Sequence, residues 1–470
     1  MKYNMTDLGN AERLEHTHGN DLRYCPEFGY WLVWDGVRWK ADPDRSDVQA
    51  RIVDTVRSIE GELDISAIQD DQVALLKHAE ASESGYSMGQ MEKIAKSLPS
   101  MIVHSEELDS DPMLLNTPNA TIDLNTGLAR AHKRIDYITR MIPVVYEPAA
   151  TNSPQWDDYL LTTFRNKKIT AYMQRVVGYC LTGLTDEQCL FLLIGGGSNG
   201  KTVFLELLRG LLGSDYSQQA DAKSFTPRAG NIRNDLAAMK GARIVNAIET
   251  NEGEVLDEAL VKWITGGDRI RARFLRQEYF EYMPEFKLFL STNHEPEIKG
   301  SDPGIWRRIN IIPFRHPVEV KDQIPRLWNH ILHDEDSAIL NWALKGLKMW
   351  QRNRLDPPKS LIDRAKQLRD SSDPVHVFIN SHFVTLDADC ITLKSKVWDW
   401  YIAATKLSDD IEWQPMSKIE FGRKMMSAAP LSSVRERGTG QRAWKGIRIN
   451  EMATHQVWGE GYEGERSIDT

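Results

Sequence analysis

Apolar residues change their period several times along this chain, and each change marks a boundary. From Gly29 the text turns β-like: Tyr30-Trp31-Leu32-Val33-Trp34, then Asp35-Gly36, then Val37-Arg38-Trp39. An Asp-Gly between such runs predicts a hairpin. Between Ser46 and Ser100 the spacing is helical, with Val53, Val56 and Ile59 set for one face. Turn formers return from Leu115 to Gly127 and predict a second small β element, and Pro148 with Asn152 to Pro154 marks a linker. Residues 155–330 alternate apolar runs with helical stretches, the pattern of an α/β domain. A helix is expected from Ile324 to Trp350, closed by Asp356-Pro357-Pro358, and another from Ser360 to Ser371. The expected divisions are a loose polar leader (1–21), a mixed α+β N-terminal domain (22–150), an α/β core (151–323), a helical linker (324–374), a last module (375–458) and a polar tail (459–470).

Composition narrows the classes. The 470 residues are 41% hydrophobic with a mean hydropathy of −0.45, enough to bury cores in several domains. A formal net charge of −9 excludes a global basic field. Any nucleic-acid contact must then be a local patch or an inner channel, because attraction to phosphate is screened within ~8–10 Å. Cys25, Cys180, Cys189 and Cys390 form no C-x-x-C pair, which argues against a zinc ribbon and fits a reducing compartment. The first twenty residues lack the basic-then-apolar order of a signal peptide, and no apolar run approaches the ~18 residues of a membrane span. A cytoplasmic protein without a membrane partner is expected.

The sharpest chemical signal is Gly195-Gly196-Gly197-Ser198-Asn199-Gly200-Lys201-Thr202, which fits G-x-x-x-x-G-K-[ST]. The preceding Cys189 to Ile194 suits a buried parallel strand. The following Val203, Phe204, Leu207, Leu208 and Leu211 recur at helical spacing, with Gly213 as a stop. Strand, glycine loop and helix are the context this motif needs, since loop N–H groups can approach phosphates only where side chains do not intervene. The loop through Val203 is expected to hold ATP, with Lys201 on the β/γ-phosphates and the Thr202 hydroxyl on Mg²⁺.

An NTPase also needs an acid at the end of a second strand. Arg243 to Ile248 is such a strand and Glu249 closes it, as a further expected metal residue; Asn246 is unusual there, and Glu252 could share the role. A third strand, Phe286 to Ser291, ends in Thr292-Asn293, where a polar amide could orient attacking water. Arg307 and Arg308 precede another apolar strand, and either could reach a neighbouring subunit's γ-phosphate.

From Cys189 to His316 these motifs resemble the superfamily 3 helicases of the phage and plasmid replication branch, related to the helicase part of the poxvirus primase–helicase. The matching text is GGGSNGKT, IETNEG, WITGGDRIRAR and FKLFLSTNHEPEIKGSDPGIWRRINIIPF. Upstream, YWLVWDGVRW and LLNTPNATIDLNTGLARAHKRIDYITRMIPVVYEP are similar to the N-terminal domain that accompanies this helicase. The resemblance implies an AAA+ type core, a hexameric ring, DNA in the central channel and 3′-to-5′ translocation. By position it makes Lys201 and Thr202 the phosphate and magnesium residues, Glu249 the acid, Asn293 the sensor, and Arg307 or Arg308 the finger. Many relatives carry a primase domain upstream. About 150 residues precede the core here, without a zinc motif, so a stand-alone helicase with any primase on a separate chain is expected.

Arg269, Arg271 and Arg273 alternate with Ile270, Ala272 and Phe274 and are followed by Arg276. A β-hairpin with a basic face fits this text, and phosphate contact would make its binding salt-sensitive. The resemblance places such a hairpin in the channel. In the last module, helical text around Val397 to Tyr401 and Ser417 to Met425 precedes a basic glycine turn and the strand Ala443 to Ile449. That order predicts a winged-helix-like module, with Arg442 and Lys445 as DNA contacts. Over 391–448, eleven Lys/Arg stand against six Asp/Glu, which favours nucleic acid over an acidic average.

The leading reading is an ATP- and Mg²⁺-dependent DNA helicase that replicates a phage, plasmid or integrated element. Its expected partners are single-stranded and forked DNA, further copies of itself, a separate primase or polymerase, and a single-strand-binding protein. Other readings are a P-loop ATPase that remodels or packages DNA without unwinding, the helicase half of a primase–helicase system, and a DNA-binding scaffold with a degenerate nucleotide site.

Overall fold

The computed structural model describes residues 3–63, 69–227, 234–248, 255–274, 279–296, 298, 302–381, 383–407 and 416–450. Its centre is a five-stranded parallel sheet of β1 (Leu190–Ile194), β2 (Ser217–Asp221), β3 (Ile244–Ile248), β4 (Lys287–Thr292) and β5 (Ile309–Pro313), ordered β5-β1-β4-β3-β2. Apart from β2 at the sheet edge, which reads Ser-Gln-Gln-Ala-Asp, these strands read as near-continuous apolar runs because both sheet faces are covered. On one face Phe191, Leu193, Phe289 and Ile312 pack with Phe204, Leu208, Val176 and Leu340 from helices Lys201–Tyr216, Lys167–Cys180 and Leu327–Asn353. On the other, Leu192, Val245, Leu288 and Ile311 pack with Leu260, Ile264 and Ile305. Register levels the strand ends: Thr292 and Pro313 both pair with Ile194, and Ser291 pairs with Ile248. The carboxyl ends of β1, β3, β4 and β5 therefore lie in one row.

Helices Lys167–Cys180 and Leu327–Asn353 meet backbone to backbone. A Cβ on Gly178 would lie 2.1 Å from Leu347 N, and one on Gly346 would lie 1.9 Å from Gln174 O. Larger side chains there would force the helices apart. At the opposite, amino-terminal end of β3 and β4, Arg243 and Lys287 are buried. Lys287 Nζ donates to the carbonyls of Thr182, Leu184 and Glu285, and Arg243 donates to those of Leu181 and Leu114. Burial pushes the Lys287 ammonium down to about 7, while the three carbonyls favour its charged form. A depressed lysine binds fewer protons folded than unfolded, so its contribution makes stability rise from pH 7 towards ~10, by at most about 1.4 kcal/mol per unit. Urea midpoints between pH 7 and 9.5 should show this limb in the wild type and not in Lys287→Met. Parallel profiles would contradict it.

Three antiparallel strands, Leu22–Cys25, Tyr30–Trp34 and Trp39–Asp42, and helices Ser46–Ser58, Gln69–Ser82 and Gly85–Ala95 make the amino-terminal part, with Trp34 opposite Trp39 across the expected hairpin. The second β element is a three-stranded sheet, Leu114–Asn116, Thr121–Asp123 and Leu128–Arg130. One expectation needs correction: the supposed loose leader carries a packed helix, Asp7–His18, capped by Thr6. Its buried face is half polar, with Asn10 and Arg13 beside Ala11 and Leu14, and Arg13 pairs with Glu62 at 2.8 Å. An apolar-period reading passes over such a face. Asp215, near the end of helix Lys201–Tyr216, accepts from Arg38 and from Met141 N, joining this part to the sheet domain.

The last module runs helix Pro374–Ile379, strand Val384–Leu393, helices Lys394–Leu407 and Lys418–Ala428, and strands Ser432–Arg435 and Arg442–Ile449. Strand Arg442–Ile449 lies between the other two. Phe378, Val397, Tyr401, Phe421, Met425 and Trp444 form its core.

Candidate functional site

The row of strand ends builds one site. Between β1 and the helix starting at Lys201 the chain turns through Gly197 (φ 95°), Ser198 (φ 46°) and Gly200 (φ 90°). Where a left-handed residue adjoins a right-handed one, as Gly200 adjoins the helical Lys201, successive backbone N–H groups turn towards one point, a nest for anions. Gly195 is required sterically, since its Cβ would lie 2.1 Å from Asn199 Nδ2 and 2.2 Å from Phe314 O. The Asn199 amide donates to Phe314 O at 2.9 Å, and Val318 N donates to Ser198 O at 2.7 Å. The loop is thereby bonded to the segment leaving β5, and Gly196 faces a smaller recess beside Arg315 and Arg364.

Lys201 is 6% exposed, and its ammonium donates to Gly195 O, to Asn199 Oδ1 at 3.2 Å and to Asn293 Oδ1 at 3.2 Å. All three acceptors are neutral, so a buried cation stands without a carboxylate partner among the described residues. Burial accordingly lowers its pKa. Such a group is poised for an anion, since an unpaired buried charge is otherwise costly. Asn293, expected from the sequence at the end of β4, is brought directly to it.

A cleft of about 830 Å³ opens over the loop, lined by Gly197 to Val203, Ile248, Ser291 and Asn293. That volume suits a nucleotide-sized ligand. Two further walls escaped the sequence reading. Helix Pro154–Phe164 presents Asp158, Tyr159 and Thr162, and residues 316–327 close the far side. Tyr159 OH donates to Gly200 O at 3.0 Å, and Glu335 accepts from Gln155 N and Trp156 N at 2.9 Å, holding the wall helix by its start. No local pattern distinguishes these residues from ordinary helix surface.

The arginine pair separates. Arg308 is 7% exposed and donates to Thr265 Oγ1 at 3.1 Å and Gly304 O at 2.7 Å. Arg307 is exposed, its backbone N–H donates to Pro303 O at 3.1 Å, and its side chain makes no ion pair or hydrogen bond among the described residues. Arg269 and Arg271 are exposed and Arg273 is half-buried, about the short hairpin of strands Ile270–Ala272 and Phe280–Tyr282. Arg442 and Lys445 are exposed on the central strand of the last module. Glu249, Glu252 and Arg276 lie outside the described residues.

Asn246, on β3, is 2% exposed, and neither its Nδ2 nor its Oδ1 has a hydrogen-bond partner among the described residues. Strand alternation puts it on the same face as Ile248, which lines the cleft. An unmet buried amide costs about 1–3 kcal/mol and demands a reason. Asn246→Val should raise the melting temperature by several degrees, because a β-branched side chain suits a covered strand. Unchanged or lower stability would show that the amide is met in solution.

The residues present fit a nucleotide; of the two expected metal residues, Thr202 lies on the cleft and Glu249 lies outside the described residues. A cradle at Gly195 that tolerates no Cβ, an exposed Thr202 hydroxyl on the cleft and an uncompensated Lys201 ammonium are the donor set such a ligand requires.

Residues 11–165 match the D5 N terminal like family. A helicase-named protein of Acanthamoeba polyphaga mimivirus is 27% identical over 323 residues, covering 63% of this chain and 33% of that protein. A primase-named protein of African swine fever virus is 24% identical over 399 residues, covering 78% and 40%. A helicase-named protein of Invertebrate iridescent virus 3 is 24% identical over 231 residues, covering 47% and 24%. These names are provisional, and the chain spans between a quarter and two fifths of the length of these relatives. Among solved structures, the C-terminal region of NrS-1 aligns with a TM-score of 0.52 at 11% identity, over 95% of this chain and 100% of that one, a likeness of fold. No helix among the described residues is long and apolar enough to cross a membrane.

Proposed function

We propose that this chain, a relative of the superfamily 3 helicases related to the poxvirus primase–helicase, is the ATP-hydrolysing motor of a DNA replication helicase. The observation that carries the reading is the meeting of Lys201 Nζ with Asn293 Oδ1 at 3.2 Å beside a positive-φ glycine loop. A phosphate-binding cation and a water-orienting amide, ninety-two residues apart in sequence, thus face one cleft. The strand order β5-β1-β4-β3-β2 supports an AAA+ type core, with the phosphate loop next to the edge strand that follows the arginine pair.

In this reading the N–H groups of the loop hold the phosphates, Lys201 offsets charge on the transferring group, and Thr202 with Glu249 holds Mg²⁺. Magnesium, when bound, neutralises phosphate charge. Asn293 orients water, and the exposed Arg307 reaches the site of the next subunit in a hexameric ring. DNA runs along the basic hairpin in 3′-to-5′ translocation, and the last module contributes a further DNA contact through Arg442 and Lys445. Single-stranded and forked DNA, a primase or polymerase and a single-strand-binding protein are the partners of such a machine in a phage, plasmid or integrated element.

ATP-dependent release of a strand from a 3′-tailed duplex tests the reading. DNA-stimulated hydrolysis without release would favour the second one, a P-loop ATPase that remodels or packages DNA. A 5′-tailed duplex unwound in preference to the 3′-tailed one would overturn the polarity alone.

A further inference from the structure

We propose that Tyr279 organises Arg271 and Arg273 into a single clamp for two successive phosphates of one nucleic-acid strand. This rests on the reading of the hairpin as a DNA-contacting element and names the parts that would do it. Tyr279 is a positioning residue here, acting through the two guanidinium groups.

The hairpin stem has two unlike faces. Ile270 pairs with Tyr282, Arg271 with Glu281 and Ala272 with Phe280. Ile270, Ala272 and Tyr282 are buried in the core below. Tyr282 OH donates to Leu236 O at 2.5 Å. Phe280 lies 5.8 Å from Phe274, and Lys240 Nζ sits 5.4 Å from the Phe280 ring and 5.5 Å from that of Phe28. The inner face is therefore fixed to the sheet domain and to the amino-terminal strands, so the outer face stands on a held platform.

On the outer face Arg271 stands within the strand and Arg273 follows just past its end, two residues on in the chain. Both guanidinium groups lie 4.6 Å from the centre of the Tyr279 ring. The ring is 42% exposed. Neither arginine has an ion pair or a hydrogen bond among the described residues, although Glu281 stands opposite Arg271. Arg273 Nε is covered and has no hydrogen-bond partner among the described residues. The contacts that hold these side chains thus use the faces of the guanidinium groups and leave their N–H edges unspent.

That arrangement suits phosphate. A free arginine must surrender its rotamer freedom on binding, whereas one already laid on an aromatic ring has surrendered much of it beforehand. Residues two apart on a strand are separated by ~6.4–6.8 Å, comparable with the interval between neighbouring phosphates of an extended strand. A guanidinium fork meets phosphate oxygens in a plane, so two forks at this interval read two steps of backbone without reading sequence.

The test measures binding of the full chain to a fluorescein-labelled oligo-dT across 50–200 mM salt, with melting curves as a folding control. Arg271→Ala and Arg273→Ala should each weaken binding and lower the slope of log K against log salt by about 0.7. Tyr279→Ala should weaken binding about 3–10-fold, and Tyr279→Phe, which keeps the ring, should bind as wild type. Tyr279→Ala should add nothing in the Arg271→Ala/Arg273→Ala background. An equal loss in that background would mean that the ring stacks on bases directly, and the clamp falls. Arginine effects without a Tyr279→Ala effect also overturn the clamp while leaving the hairpin's role intact. Arginine variants that bind with wild-type affinity and slope would remove the hairpin from DNA contact altogether.

Discussion

Replacing Lys201 with alanine should lower ATP turnover by about 10²–10³-fold, the cost of removing one preorganised charge-stabilising donor. The argument is electrostatic. The ammonium is 6% exposed, and every acceptor it meets among the described residues is neutral: Gly195 O, Asn199 Oδ1 and Asn293 Oδ1. A cation kept in that setting is destabilised until an anion arrives, which is why burial lowers its pKa. Removing it relieves that cost in the nucleotide-free protein, so the melting temperature should hold or rise while catalysis collapses. Phosphate release at saturating ATP and Mg²⁺, read beside a melting curve, decides. Wild-type turnover in a folded Lys201→Ala protein would take this loop out of the reaction.

Arg307→Ala should reduce kcat by about 10³–10⁵-fold with little change in folding, as expected for loss of an arginine finger. Arg308→Ala should do the reverse in kind. It loses charge-assisted bonds to Thr265 Oγ1 and Gly304 O in a nearly closed environment, a destabilisation of about 1.5–3 kcal/mol per bond lost. Mixing separates a neighbour's finger from a residue of the same subunit. Arg307→Ala and Lys201→Ala proteins, each inactive, should recover part of the activity together, because some interfaces then place an intact arginine against an intact loop. Inactive mixtures would locate Arg307 in its own subunit's site, and full activity of Arg307→Ala alone would exclude it.

The two residues are adjacent in sequence and identical in chemistry, so no spacing rule could assign them. What separates them is the short helix Pro303–Trp306, whose end turns one guanidinium inward to Thr265 and leaves the other outside. The cleft walls were hidden for a similar reason. Tyr159 is an ordinary aromatic in an amphipathic helix until packing lays its hydroxyl on Gly200 O. Residues 7–18 read as a loose leader because the helix's buried face carries Asn10 and Arg13, which are satisfied by Ser82 and Glu62 far along the chain. The glycine loop, by contrast, was legible residue by residue. Its positive φ values and its intolerance of a Cβ at Gly195 are constraints on single positions, and residue type answers them directly.

By itself the sequence determined the apolar strands, the helix after the glycine loop, the loop's backbone geometry and the polar residue that follows β4, because these depend on periods and backbone freedom within a few residues. Tertiary structure alone decided that Asn293 meets Lys201, that Arg308 is spent on packing while Arg307 is not, and that the wall helix closes the cleft. Those outcomes depend on strand register and on helix contacts between residues tens to hundreds of positions apart, where side-chain identity is silent until the chain has folded.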